Sequence, residues 1–351
     1  MNKKYLAYFN EVKLKGEGAD QQDTKNSRVL VVDGLNTFIR AYAASPTTNV
    51  NGEHCGGLSG FLLSVGHAIK AISPTRVIIV FDGKDGSAKR KALFPEYKAN
   101  RKFKIRLNRA ITVDKEDNQL AQLVRLIEYL EIMPFNTIVS DGVEADDVIA
   151  YISEDYLKER NSQVFIMSSD KDFMQLVNDR IHIWSPTKKQ LYYTTDVYET
   201  YNIMPQNFAL FRALIGDDSD NIPGVPGLGP KTIISKFPKL ASEEILSVDG
   251  FMEYVKTLAA ENPKLKIYQK VLESEKDIRL FHQLMQLSES GIPTRTRLRI
   301  IESLEASTGR LAKLKFHQML FEDGMSNAIR NTELWLKEVT QKLDNFILQD
   351  R

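Results

Sequence analysis

Arg28-Val29-Leu30-Val31-Val32-Asp33-Gly34 is a short apolar run that closes on an acid and a glycine. Consecutive branched residues without alternation fit a strand buried on both faces, as in a parallel sheet, and Asp-Gly fits the turn that follows. Arg76 to Phe81 repeats the design before Asp82-Gly83, and Thr137 to Val139 repeats it before Asp141-Gly142. A fourth run, Gln163 to Met167, leads into Ser168-Ser169-Asp170-Lys171-Asp172. Leu58 to Ile72 carries apolar residues at helical spacing, and a further helix is predicted from about Ala145 to Arg160. Strand-helix-strand units of this kind predict an α/β fold, a mostly parallel sheet flanked by helices. Ligands of open α/β sheets bind beyond the carboxyl ends of the strands, where these acids fall.

Beyond Tyr201 the pattern changes to short amphipathic helices, broken at Pro238, Pro263 and Pro293. Gly16 to Ser27 is polar and aperiodic, which predicts a flexible tail over residues 1–27. The 351 residues carry a net charge of only +1, which argues against a nonspecific polycation. Cys55 is the sole cysteine, so an intramolecular disulfide is excluded and a reducing, cytoplasmic setting is expected. The longest apolar runs are too short to cross a bilayer, and Met1 to Lys15 lacks the apolar block of a signal peptide.

The candidate acids are Asp33, Asp82, Glu144, Asp146, Asp147, Asp170, Asp172, Asp217 and Asp220. Taken singly, each has a plain structural explanation, because Asp-Gly makes turns and an acid at a helix start makes a cap. Together they crowd one sheet edge, where carboxylates need cations to neutralise them. Oxygen ligands without paired His or Cys point to magnesium or manganese rather than zinc. Two such ions about 4 Å apart activate a water and stabilise the leaving oxygen of a phosphodiester. Asp179 and Asp218 read as solvated surface acids.

Lys84 to Arg109 holds ten basic side chains against two acids, with Phe94, Tyr97 and Phe103 interleaved. That mixture suits a strand of nucleic acid tracked by charge and stacked on aromatics, although a solvated basic face reads the same way. Its place directly after Asp82 favours the first reading. Gly216-Asp217-Asp218-Ser219-Asp220-Asn221-Ile222-Pro223-Gly224-Val225-Pro226-Gly227-Leu228-Gly229-Pro230-Lys231-Thr232 joins an acidic cluster to a glycine-rich turn. The glycine spacing is that of a P-loop, but Pro230 precedes the lysine and no strand leads in, so a nucleotide-binding loop is disfavoured. Two helices joined by Gly-Val-Pro-Gly-Leu-Gly suit a helix-hairpin-helix, whose amides hold duplex phosphates without reading sequence. A purely structural turn between helices is the alternative.

In chain order, Asp33-Gly34 with Arg40-Ala41-Tyr42, Phe81-Asp82-Gly83, Pro95 to Arg101, Val143 to Asp147, Ser169 to Phe173 and Gly216 to Thr232 resemble the motif series of the 5′-nuclease family. That family includes flap endonucleases, the 5′-exonuclease domain of bacterial DNA polymerase I and phage ribonuclease H proteins. The likeness covers about Arg28 to Lys236, and Ser185-Pro186 with Lys266 to Asp277 more faintly resembles the replication ribonuclease H of T-even-type phages. It implies a PIN-like catalytic domain over 28–200, a basic helical arch over about 84–118, and a helical DNA-binding region over 201–351 with the hairpin at about 205–237.

By match to those motifs, Asp33, Asp82, Glu144, Asp146 and Asp170 would serve a first metal with Asp147 nearby, and Asp172, Asp217 and Asp220 a second. The implied cofactors are two Mg2+ (or Mn2+), with a monovalent cation at the hairpin. Lys98 and Arg101 would face the scissile phosphate, with Arg40 and Tyr42 beside the 5′ end and Tyr97 among the DNA contacts. Gly224, Gly227, Gly229, Lys231 and Thr232 would grip duplex.

The resemblance therefore implies a metal-dependent, structure-specific 5′-nuclease, with 5′-3′ exonuclease, flap endonuclease and ribonuclease H activity, removing RNA primers and 5′ flaps in phage-type replication. Branched or nicked duplex DNA and RNA–DNA hybrid are the implied substrates of a monomer, with a single-strand-binding protein or sliding clamp as protein partner. Trp335, Leu336, Val339, Leu343, Phe346 and Ile347 form an apolar stripe that fits such a partner, though packing on the chain's own core is favoured. A catalytically silent DNA-binding accessory factor is the rival reading, and the full set of acids counts against it. A toxin-like ribonuclease would lack the hairpin. A haloacid-dehalogenase-type phosphatase would want a second Asp where Leu35 stands.

Overall fold

The computed structural model describes residues 24–100, 115–287 and 291–349. Six strands among them, β1 (Arg28–Asp33), β2 (Arg76–Asp82), β3 (Asn136–Ser140), β4 (Gln163–Met167), β5 (Ile181–Ser185) and β6 (Gln190–Tyr192), form one sheet in the order β3-β2-β1-β4-β5-β6. The first five run parallel, in registers such as Val31 with Ile78 and Ile166, and β6 returns antiparallel to β5. From β1 the chain steps outward to β2 and β3, then comes back to the other side of β1 as β4. That reversal opens a crevice at the carboxyl ends of β1 and β4.

The four expected strands are present, and β5 and β6 are additional. His182 interrupts the apolar run of β5, yet it is buried between Phe165 and Tyr193. Burial pushes its imidazole down to about 4, so it stays neutral at ordinary pH and fills the core.

The helices in chain order are α1 (Gly34–Ala44), α2 (Gly56–Ile72), α3 (Ala88–Leu93), α4 (Lys115–Glu131), α5 (Ala145–Tyr151), α6 (Thr194–Tyr201), α7 (Phe208–Ile215), α8 (Pro230–Lys236), α9 (Val248–Glu261), α10 (Lys266–Glu273), α11 (Glu275–Met285), α12 (Thr294–Glu305), α13 (Lys313–Glu322) and α14 (Thr332–Gln349). The helix predicted to Arg160 ends sooner, because α5 widens into a π-helical turn at Ile152–Tyr156. A 3-10 turn, Asp172–Leu176, follows β4.

Side chains of β1 alternate between two cores. Val29 and Val31 join Ile78 and Val80 against a layer that reaches from Val148 of α5 through Phe208 and Ile233 to Phe251 and Ile300. Leu30 and Val32 join Ile79 against Phe38, Phe61, Leu126, Phe316 and Leu336 on the opposite face. The first core runs without a break across residue 201, so the expected boundary there marks a change of secondary structure within a shared core.

Helix α14 carries its apolar stripe inward. Trp335, Leu336, Val339 and Leu343 belong to the second core, and Phe346 and Ile347 are also buried. Trp335 lies so close to α2 that a Cβ on Gly66 would stand 2.7 Å from its indole nitrogen. The stripe thus packs on the chain itself and is not a docking face for a replication protein. The expected tail falls mostly on residues outside those described, as does the middle of the expected arch.

Candidate active site

A cleft of about 980 Å3 opens at the carboxyl edge of the sheet. Asp33, Asp82, Asp146, Asp170 and Asp217 line it together with Arg40, Lys98, Arg212 and the exposed Asp218. Asp179 is a surface acid, whereas Asp218 forms part of the cleft wall.

Local structure holds each of these acids. Asp33 ends β1 and caps α1, where one carboxylate oxygen accepts the Asn36 amide at 3.2 Å. Its other oxygen accepts the Ser168 hydroxyl at 2.9 Å, which ties the end of β1 to the end of β4. Burial pushes its pKa up to about 7, with Asp170 and Asp82 adding to the rise against those two hydrogen bonds. Asp82 ends β2 and accepts the Ala145 amide at 2.9 Å, at the start of α5. Asp146 lies in the first turn of α5; burial, then Asp33 and Asp170, push it well above the usual carboxylate range despite Lys98. Asp170 accepts the Asp172 amide at 2.9 Å, while its own amide donates to the Ser168 hydroxyl at 3.0 Å.

Acids raised by burial and by one another are acids short of a cation, and an all-oxygen donor set suits a hard divalent ion. Among the described residues no three such groups stand close enough to share one ion as they are, and Asp33, Asp82, Asp146 and Asp170 of the cleft are the acids that would hold it. Their fit to the group that the sequence implies is one of donor chemistry, four carboxylates on one cleft.

Glu144, expected to serve the first metal, and Asp147, expected nearby, have protein donors on their oxygens. Asp147 takes both nitrogens of the Arg90 guanidinium at 2.6 and 2.8 Å. Glu144 accepts Lys98 at 2.7 Å on one oxygen, and Arg90 at 2.8 Å and the Tyr97 hydroxyl at 3.1 Å on the other. Burial alone would raise Glu144, but Lys98 and Arg90 outweigh it and hold the group below its ordinary value. Arg90, which the sequence reading passed over, also donates to the Leu284 carbonyl at 2.7 Å. It pins α3, the foot of the basic segment, to α5 and α11. Within Lys89-Arg90-Lys91 nothing in the sequence separates it from its neighbours.

Arg212 of α7 is the second cation the sequence reading missed. Its Nε contacts Asp172 at 2.6 Å, and its Nη2 pairs with Asp217. Asp217 also accepts the Ser219 amide and hydroxyl at 2.7 and 2.6 Å; burial opposes these contacts, which together hold it below the usual range. Burial and Asp170 instead push Asp172 up to about 7, against the pull of Arg212. Asp172 and Asp217 thus share Arg212, Asp217 at the cleft wall, while Asp172 and Asp220 are not among the residues that line the cleft. A lone arginine in the apolar run Phe208 to Ile215, five residues before Asp217, was the available signal.

Lys98 reaches the cleft from a left-handed backbone position, φ 57°, a conformation that costs a non-glycine residue about 1–3 kcal/mol and persists only under tertiary restraint. The restraint is visible: its amide donates to the Asp220 carbonyl at 2.9 Å, and its ammonium lies between Glu144 and the Tyr97 ring. Arg40 is exposed at the rim. Tyr42 and Tyr97 need correction as DNA contacts, since they are 1% and 3% exposed and neither ring offers a face to stack on. Arg101 lies outside the described residues.

The glycines of the hairpin divide into two kinds. Gly216 and Gly224 close a loop backbone to backbone, and a Cβ on Gly224 would stand 2.5 Å from the Gly216 nitrogen. Gly224 is thus a buried closure point, which corrects its assignment to the duplex grip. Gly227, at φ 85°, and Gly229, which precedes α8, are exposed, as is Lys231, with Thr232 half-buried beside it.

A parallel sheet with an acidic cleft at its switch point, beside a helical hairpin, is the architecture of a nuclease. The family described as "5′-3′ exonuclease, N-terminal resolvase-like domain" matches residues 28–202. The chain is 33% identical over 242 residues to a 5′-3′ exonuclease of Buchnera aphidicola from Acyrthosiphon pisum, covering 68% of this chain and 79% of that protein. It is 30% identical over 315 residues to a 5′-3′ exonuclease of Aquifex aeolicus, covering 89% and 97%. Its fold is similar to that of bacteriophage T5 D15 flap endonuclease, solved in a pseudo-enzyme–product complex with DNA and metal ions (TM-score 0.58, 25% identity, 85% of this chain, 99% of that one). The chain belongs to the 5′-3′ exonuclease family of 5′-nucleases. No helix among the described residues is long and apolar enough to cross a membrane.

Proposed function

We propose that the chain is a magnesium-dependent, structure-specific 5′-nuclease that cuts phosphodiesters at the 5′ ends and junctions of duplex DNA. The observation that carries this reading is the convergence of Asp33, Asp82, Asp146 and Asp170 with Lys98 and Arg40 on one cleft. Those four acids would hold a divalent ion, which when bound supplies Lewis-acid stabilisation of the phosphate and a more acidic water. The remaining work belongs to side chains. Lys98, oriented by Glu144 and by its backbone bond to Asp220, offers a fixed positive charge to the scissile phosphate. Arg40 at the rim suits the terminal phosphate of a 5′ end.

The exposed turn at Gly227 and Gly229, with Lys231 and Thr232, suits a duplex backbone, so substrate choice rests on the shape of the DNA rather than on base contacts. Removal of RNA primers and flaps in phage-type replication, with ribonuclease H activity on RNA–DNA hybrids, is the finer form of the proposal. A replicative single-strand-binding protein or clamp would be the protein partner. The relatives named 5′-3′ exonuclease and the DNA-bound T5 flap endonuclease support the chemistry.

End-labelled 5′-flap, nicked-duplex and RNA–DNA substrates incubated with Mg2+ or EDTA test it. Asp170→Ala is expected to abolish cleavage while flap binding stays within about threefold. Substantial cutting in EDTA or by Asp170→Ala overturns the metal reading.

A further inference from the structure

We infer that a second cleft, between α2, the hairpin of β5 and β6, and α14, is a subsite for one nucleotide, with the base against two tryptophans and the phosphate at Lys70 and Lys189. It goes beyond the proposed phosphodiester chemistry, and only the choice of a nucleotide as occupant leans on that reading. The cleft measures about 390 Å3, and Leu63, His67, Lys70, Trp184, Lys189 and Trp335 line it. That volume suits a small ligand. Trp184 and Trp335 are the only tryptophans of the chain. They are 5% and 6% exposed, yet neither indole N–H has an acceptor among the described residues. A buried indole N–H ordinarily finds a partner, so two unpaired donors on one cleft call for a ligand that carries acceptors.

The cleft is also cationic. Among the described residues no acid lines it. Part burial, then Lys189 and Lys70, hold the His67 imidazole below its ordinary value, so both ammoniums bear on one exposed ring. Lys70 reaches Glu338 at 3.2 Å, but the two side chains are 42% and 41% exposed, and such a pair contributes little. Lys189 has no ion-pair partner among the described residues. A nucleobase carries carbonyl and ring-nitrogen acceptors for the indoles. Its flat face suits the exposed His67, whose ring lies 5.9 Å from that of Trp184, and Leu63 one turn before it. The phosphate then falls to the lysines. Trp184 pairs with Met167, and Met167 with Val32, so the tryptophan stands two strands, about 10 Å, from the residue before Asp33. An acidic peptide would meet the lysines as well. The shared carboxyl edge, where strands are handled on the proposed function, favours the nucleotide.

The two tryptophans make the test direct. Full-length protein, its two indole N–H signals followed by NMR, is titrated in EDTA with thymidine 5′-monophosphate and with inorganic phosphate. Two DNA arms follow, a fully paired duplex and one with an unpaired nucleotide at a nick. Both signals are expected to move with millimolar nucleotide and to stay with phosphate alone. Lys70→Gln with Lys189→Gln, both at exposed positions, is expected to weaken that binding about tenfold or more, and arginine at both positions to restore it. A shift with the free nucleotide and with neither DNA identifies a released nucleotide as the occupant. A shift that the unpaired nucleotide causes and the paired duplex does not identifies a nucleotide of a strand. No shift with the free nucleotide or either DNA overturns the inference. So does a shift that phosphate alone reproduces, or one that survives loss of both lysines. A shift caused only by an acidic peptide ending in phenylalanine overturns it in favour of a protein partner. No metal enters these titrations, so failure of the nuclease reading would show in cleavage while the nucleotide result stands.

Discussion

Replacing Asp33 by Asn is expected to flatten the pH dependence of stability of the metal-free protein between pH 5 and 8. Asp33 is 4% exposed and its carboxyl titrates near 7 in the folded chain, against an ordinary value of 3.8. The native state therefore holds the proton more tightly than the unfolded state. Between those two values the native chain carries more bound protons, so stability falls as pH rises, the reverse of the usual paired carboxylate. About three units at 1.36 kcal/mol each give roughly 4 kcal/mol as an upper bound for the whole loss, shared in part with Asp146. About two of those units lie between pH 5 and 7, roughly 2.7 kcal/mol, which for 351 residues at about 2.1 cal/mol/K of unfolding entropy each corresponds to a fall in Tm of about 4 °C over the tested range. Melts in EDTA at pH 5, 6, 7 and 8 measure it for wild type and Asp33→Asn. The variant is expected to lose several degrees less than wild type over that range. Millimolar Mg2+ is expected to raise the wild-type Tm more at pH 8 than at pH 5, because only the ionised acids attract it. Parallel wild-type and variant curves would refute the burial argument, since any common slope would then come from other groups.

Arg90→Met removes the partner of two buried carboxylates and is expected to cost about 3–5 kcal/mol in urea unfolding, with Arg90→Lys losing less. A loss under 1 kcal/mol would mean that Asp147 and Glu144 find other donors. Lys231→Ala is expected to weaken duplex binding severalfold and to lower the salt slope by about one, as for a single phosphate contact. An unchanged slope would make the hairpin merely structural. Leu336→Ala, 1% exposed in the core between α14 and α2, is expected to cost about 2–5 kcal/mol while cleavage per folded molecule stays the same. A lowered turnover without lost stability would give α14 a functional part that its burial does not suggest.

Features that a local pattern encodes were legible in the sequence. Unbroken branched runs ending in Asp, such as Arg28–Asp33 and Arg76–Asp82, encode a two-faced parallel strand and the acid at its end within seven residues. Asp33, Asp82, Asp146 and Asp170 therefore line one cleft. Features that depend on which distant group covers a side chain were not legible. Arg90 and Arg212 look like any other arginines until α5, α11 and the Asp172 turn surround them. Glu144 and Asp147 sit in the same short motif as Asp146, but on a helix start successive residues point apart, so only one of the three faces the cleft. Gly224, Gly227 and Gly229 are equivalent as letters. The approach of Gly216 to Gly224 separates the closure point from the exposed turn. Tyr97 misled because an aromatic among basic residues reads as a stacking platform, whereas its hydroxyl donates to Glu144; Tyr42, placed by resemblance, likewise donates inward, to Asn118.

The loop from Gly216 to Gly224 links the two halves of the proposed activity through short, directional bonds. Asp217 and Ile222 pair across it, at 2.7 and 2.8 Å, so the loop has a ladder of its own. From its outer side the Asp220 carbonyl takes the Lys98 amide, the Asn221 side chain donates to the Glu96 carbonyl at 2.8 Å, and Asn100 donates to Asn221 at 2.6 Å. Beneath these bonds Tyr97 shares a small core with Ala213, Ile222, Phe281 and Leu284. Lys98 therefore takes its place from the same loop that ends at the hairpin turn, and the exposed Gly227 and Lys231 follow within a few residues. On the proposed function, a duplex held at the turn is held at a set distance from Lys98 and from the acids beyond it. Such a distance selects a junction or an end by geometry. A site that measures in this way has no need to read bases.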